Sequence, residues 1–165
     1  MGVLAENILV SGLWSMAAAW GFGVLFNLPK KGLGYAAALA FIGHAVRTVF
    51  TYYHWGGIVL GSLFGAITVG FVGAFFAERI KVPAIMYCVC AVIPMVPGYF
   101  SYLFFLYMIK MVITEQHEMV NTFMIESVLN GAKAFLIFIG LSVGVTLPLL
   151  WHISIKREEN RQYLE

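Results

Sequence analysis

Aspartate is absent from this 165-residue chain, and its eight acidic side chains are all Glu. Charge of either sign is scarce: charged residues make up 11% of the chain, against about a quarter in an ordinary soluble domain. In their place stand 61% hydrophobic residues and a mean hydropathy of +0.88. That is too much apolar surface for a water-soluble sphere of this size to bury. Lipid is its natural solvent. Cysteine is nearly missing as well. Cys88 and Cys90 lie in an apolar run, where a helix would point them to nearly opposite faces. That spacing suits neither a disulfide nor a metal pair, so they read as small packing residues.

Other absences narrow the function. No nucleophile–base pair and no metal-ligand cluster is visible, so neither an enzyme nor a cofactor or metal site is expected. No basic patch supports nucleic-acid binding. No repeat, low-complexity linker or soluble domain interrupts the apolar pattern. The N-terminus has no basic n-region, and Glu6 is negative, so the first apolar segment is expected to be retained. The C-terminal KREENRQYLE reads as a solvated helix end.

A bilayer core takes about 20 mostly apolar residues per helix. Five segments qualify, giving an all-α integral membrane protein of a single domain. They run roughly over residues 8–28, 33–52, 58–77, 84–108 and 132–151. The second carries His44 and Arg47, so charge asymmetry must decide whether it spans. If all five span, Lys30, Lys31, Arg79, Lys81, Lys156, Arg157 and Arg161 share one side, and Lys110 and Lys133 face the other. If the second does not, five basic residues oppose five. Five spans, with a periplasmic N-terminus and a cytoplasmic C-terminus, is the expected topology. Labelling of a cysteine added after Glu165 from the periplasm would sink it.

Between the last two spans, residues 111–128 read as an amphipathic helix on the outer membrane surface. Val112, Met119, Val120, Phe123, Met124 and the small Ser127 recur at helical spacing, with Glu115, Glu118, Asn121, Thr122 and Glu126 mainly between them. It lacks the basic face of helices that bind anionic lipid, and an ordinary surface connection is an equal reading. Asn130 and Lys133 read as interfacial anchors.

Small residues recur four apart. Gly57, Gly61 and Gly65, then Gly140 and Gly144, form stripes that let helix backbones approach closely in lipid. Five short helices make a thin bundle, so a second subunit is expected to complete any polar pathway.

Ionisable residues inside a span are expensive, about 2.5–3.5 kcal/mol for a central Arg. His44 and Arg47 are three apart and share one helix face. Arg47 offers a planar fork suited to a carboxylate, and His44 can carry a proton near neutral pH. Together they suit a carboxylate substrate whose movement is coupled to protons. Against this stand a snorkelling Arg47 and a packed His44. Asn27, just before Pro29, reads as a helix cap or turn.

The fourth span contains AVIPMVPGYFSY, residues 91–102. Pro94 and Pro97 each remove a backbone donor and push Ile93 and Val96 away from helical geometry. Gly98 permits positive φ. The break falls near the bilayer midplane, where irregular backbone must be covered by protein or line a wet cavity. Pro94, Pro97 and Gly98 thus read as a broken-helix or gating element. Gly98 with the Ser101 and Tyr102 hydroxyls reads as substrate-binding. A packed proline kink is the plainer alternative.

These pieces also carry a resemblance. VLFNLPKKGLGYAAALAFIGHAVRTVF followed by AVIPMVPGYFSY resembles the small, YjjB-type membrane subunit of the threonine/serine exporter family. The matching positions are Asn27, Pro29, Gly43, His44, Arg47, Pro94, Pro97 and Gly98, with Asn27, Pro29 and Gly43 of open role. The resemblance implies a larger YjjP-type partner in the same bacterial inner membrane. It also implies export of succinate by two-subunit forms and of threonine and serine by others. Succinate export by alternating access is the leading expectation. Threonine/serine export is one alternative, and a purely structural subunit that stabilises its partner is another.

Overall fold

The computed structural model describes the backbone of residues 2–80, 82–114 and 117–162. Glu115 and Lys81 lie outside these residues, as do the side chains of Glu118 and of the tail from Ile155. Among the described residues every regular element is helical: α1 (Gly2–Leu25), α2 (Lys30–Tyr52), α3 (Gly57–Ile80), α4 (Ala84–Val92), a short 3-10 turn (Ile93–Met95), α5 (Gly98–Ile113) and α6 (His117–Gln162). Four helices are long and apolar enough to cross a membrane, and the interrupted pair at Ala84–Met95 and Gly98–Ile113 gives up to five. The all-α membrane architecture with a broken fourth span is therefore present.

The chain forms two compact units, Met1–Met95 with Gly140–Glu165 and Val96–Ile139. In the first, the core is built largely from small side chains. The buried face of α2 consists of Gly32, Ala36, Ala37, Leu39, Ala40 and Gly43. Large side chains such as Trp14, Leu25 and Trp151 face outward. This inversion follows from lipid solvation, because Leu gains nothing by leaving hydrocarbon, whereas close backbone approach gains dispersion contacts.

Two tight connections set antiparallel neighbours. After α1, Asn27 takes the left-handed conformation (φ 54°), with Asn27 N–H donating to the Val24 carbonyl and Leu28 N–H to the Gly23 carbonyl. This is a Schellman ending, and Asn tolerates the conformation better than most side chains. After α2, His54 (φ 55°) repeats it: His54 N–H donates to Thr51 and Trp55 N–H to Phe50. The apolar contact expected of such an ending is the Phe50–Trp55 ring pair at 5.8 Å. Pro29 then caps α2 with an extended backbone.

The break in the fourth span differs in detail from expectation. Ile93 stays helical (φ −53°, ψ −41°) and donates its N–H to Val89, so the residue before Pro94 is not displaced. The chain turns at Pro97 instead (φ −80°, ψ 55°), where Gly98 N–H donates to the Val96 carbonyl at 2.8 Å. That is an inverse γ-turn, a shape that proline's fixed φ favours. Gly98 opens α5 and is not among the positive-φ glycines, so its conformational freedom is not what makes the break.

In the second unit, α5 pairs with the first half of α6. Tyr107 stacks on Phe123 at 6.2 Å, Ser127 Oγ donates to the Phe104 carbonyl, and Gly131 lies under the Phe104 ring. The Lys110 ammonium sits over Tyr107 and Phe123, and Lys133 sits over Phe100. Buried Asn130 donates to the Glu126 carbonyl. The amphipathic helix expected over 111–128 is not a separate element. Residues 111–113 end α5, Thr114 is extended (ψ 135°), and from His117 the helix continues without a stop into the last span. No proline and only one glycine, Gly131, lie between His117 and Gly140, so nothing in the chain ends the helix there.

Candidate functional site

Arg47 and His44 lie on one face of α2, in the first unit. They line a cavity of about 640 Å³ with Asn7 and Ser11 of α1, and with Thr48, Thr51 and Tyr52 of α2. Val10, Trp14 and Ile58 supply its apolar wall. No Asp or Glu is among the described lining residues. The guanidinium donates from Nη1 to the Met95 carbonyl oxygen at 2.8 Å. Met95 is the last residue of the 3-10 turn, where the helix break denies that carbonyl a regular helical donor. Arg47 thus caps the broken helix, leaving most of its five donors for other acceptors. The His44 Nδ1 atom is buried and has no hydrogen-bond partner among the described residues. A buried polar atom of this kind calls for a functional or structural explanation.

The helix register that presents this face is fixed by glycine. A Cβ on Gly43 would stand 2.5 Å from the Met95 methyl and 2.6 Å from Val69. One on Gly65 would stand 2.6 Å from the Gly43 carbonyl, and one on Gly61 2.9 Å from the Arg47 carbonyl. The α2–α3 crossing therefore runs through Gly43, Gly61 and Gly65, with Gly43 next to His44 and Gly61 against the Arg47 carbonyl. Gly144 approaches Ala66 and the Leu63 carbonyl in the same way, while Gly140 makes only ordinary contact with Leu63. Gly57 packs against nothing; its φ of 65° marks it as a loop glycine at the start of α3. Tyr87 of α4 adds a buried hydroxyl bond to the Gly73 carbonyl at 2.6 Å, and Cys88 and Cys90 are free and buried beside it.

The structure therefore brings together Arg47, His44 and the backbone next to Pro94. Gly98, Ser101 and Tyr102 belong to the second unit, where Ser101 Oγ donates to the Pro97 carbonyl and Tyr102 is exposed. Sequence reasoning missed Asn7, Ser11, Thr48 and Thr51. The signal was available: Asn7–Ser11, His44–Thr48 and Arg47–Thr51 are each four apart, so polar groups repeat along one helix face. In each pair the hydroxyl donates back to the carbonyl of the earlier residue.

The family described as "Threonine/Serine exporter, ThrE" matches residues 11–151. An "Uncharacterized protein" of Haemophilus influenzae is 31% identical over 136 residues, covering 78% of this chain and 45% of that protein. The chain thus spans about half the length of the curated relative it matches. No solved structure matches it.

Proposed function

The chain belongs to the threonine/serine exporter family, and on that premise we propose that it is a membrane subunit exporting small carboxylates, with Arg47 as the carboxylate anchor. The observation that carries this is a cationic side chain in a membrane cavity with no carboxylate among its described lining residues. A charge placed there is costly and functional by default, and its fork matches a carboxylate. Succinate, threonine and serine share that group. His44, one turn away, is the candidate proton carrier. The movement is alternating access, with no covalent chemistry.

The match to about half of a longer relative, with the thin bundle of the first unit, supports a larger YjjP-type partner that completes the pathway. A bacterial inner membrane goes with this reading, and the basic residues favour a periplasmic N-terminus and a cytoplasmic C-terminus there.

Transport in membrane vesicles tests the reading. Arg47→Lys keeps the charge but loses the planar fork, and should lower threonine and succinate movement at least about tenfold without changing the amount of protein. Unchanged transport of both substrates by this variant removes Arg47 from the site.

A further inference from the structure

In the first unit α3 and α6 meet backbone to backbone at Gly70, where an added Cβ would stand 2.9 Å from the Val145 carbonyl oxygen. One and two turns further along α3, Ala74 and Ala77 carry too little side chain to keep the space beside α6 filled. Two hollows result. The larger, about 410 Å³, lies between Ala77, Ala84 and Ile85 on one side and Leu149 and Ile153 on the other. The smaller, about 310 Å³, is walled by the rings of Phe71, Phe75 and Trp151. Ala74 and His152 line both, so the two hollows meet there. Thr146 and His152 are the polar side chains among the described lining residues. Phe75, Ile85, Trp151 and Ile153 are exposed, so the hollows lie on the outer face of the helices.

Arg79 stands at the edge of the smaller hollow. It is exposed, and its guanidinium sits 5.0 Å from the centroid of the Phe75 ring. It follows directly on the apolar span Gly57–Ala77, at the depth of lipid headgroups. A guanidinium over a ring keeps its in-plane donors for an acceptor, and that fork fits a phosphate. The sequence adds Lys81 directly after α3, and Lys156 and Arg157 in the turn of α6 beyond Ile153.

We propose that this face binds one anionic diacyl phospholipid, with its phosphate on Arg79 and one acyl chain in each hollow. The two lobes joined at Ala74 and His152 match the two tails of one molecule, and the cation beside them matches its head. Tails gain little by leaving bulk lipid, which is as apolar as the hollows. Selectivity therefore sits with the headgroup, and the hollows hold that headgroup against Arg79. Basic sites between helices on the cytoplasmic side are where anionic headgroups bind.

The test offers the full chain, extracted in a mild detergent, an equimolar mixture of phosphatidylglycerol and phosphatidylethanolamine with the same acyl chains. Bound lipid is counted by native mass spectrometry. The unaltered chain should retain one phosphatidylglycerol with about fivefold preference, the scale of one cation at a membrane surface. Arg79→Gln, at an exposed position, should bring the ratio close to one without changing the yield of protein. Ala77→Phe, which fills the larger hollow, should lower retention of both lipids severalfold. Lys110→Gln, which removes a cation over the Tyr107 and Phe123 rings in the second unit, should leave the ratio alone. Equal retention of the two lipids by the unaltered chain overturns the site, whether or not the variants accumulate. So does a preference that survives Arg79→Gln, or full lipid retention by Ala77→Phe. A lipid-free dimer that Ala77→Phe dissociates would give the face to a second copy of the chain and overturn the proposal as well.

Discussion

In the first unit glycines bring helix backbones into direct contact; in the second the glycine contact and the helix pairing are made through rings. Gly65 lies where a Cβ would touch the Gly43 carbonyl, and Gly70 where it would touch the carbonyls of Gly144 and Val145. Pro148 leaves the Gly144 carbonyl without its helical donor, and the bare backbone of Gly70 sits against it. In the second unit Gly131 meets the Phe104 ring, and Tyr107 stacks on Phe123. A ring can turn about its side-chain torsions, whereas a carbonyl inside a helix cannot move without its helix. Glycine contacts therefore fix helix register in the first unit, and that unit carries the half-buried Arg47 and its cavity. Aromatic contacts are more adjustable, and no residue of α5 is fully buried.

The sharpest way to break this contrast is Gly65→Val. Its branched side chain would enter the Gly43 carbonyl, an overpacking cost of about 3 kcal/mol or more where the backbone cannot yield. The expected outcome is loss of monodisperse protein after detergent extraction; normal yield would mean the crossing is looser than described. Next is Tyr87→Phe, which removes the buried hydroxyl bond to the Gly73 carbonyl within the first unit. It should cost about 1 kcal/mol, seen as a drop of a few degrees in thermal unfolding. Smallest is Gly131→Ala in the second unit, where the nearest atoms belong to the Phe104 side chain at 2.7 and 3.0 Å. The ring should rotate aside, and stability should change by less than about 1 kcal/mol. A loss as large as that of Gly65→Val would erase the distinction between the units.

Much of the fold can be read from the chain because charge is so rare in it. Apolar runs bounded by Lys30, Lys31, Arg79 and Lys110 leave little choice of spans, and the two prolines mark the broken one. The continuity of α6 is harder to see. Glu118, Asn121, Thr122 and Glu126 resemble a surface helix, yet polar residues do not end a helix unless a breaker accompanies them, and none does. The turn at Pro97 is hidden for a related reason: Gly98 advertises positive φ that the chain never uses. At the site, Arg47 and His44 stand out as ionisable groups in an apolar run. Ser11, Thr48 and Thr51 do not, because hydroxyls in spans commonly bond back to their own helix. The Arg47–Met95 bond joins residues 48 apart, and no local pattern announces it.

The central claim, a carboxylate held by Arg47 in this cavity, is tested most directly by substrate protection. A cysteine placed at Thr51, one turn beyond Arg47 in the cavity wall, is labelled with a membrane-impermeant thiol reagent; the native Cys88 and Cys90 are buried. Saturating threonine should slow labelling severalfold in the otherwise unaltered chain and have no effect when Arg47→Lys is added. Labelling at the same rate with and without threonine, succinate or serine in the otherwise unaltered chain would contradict the claim.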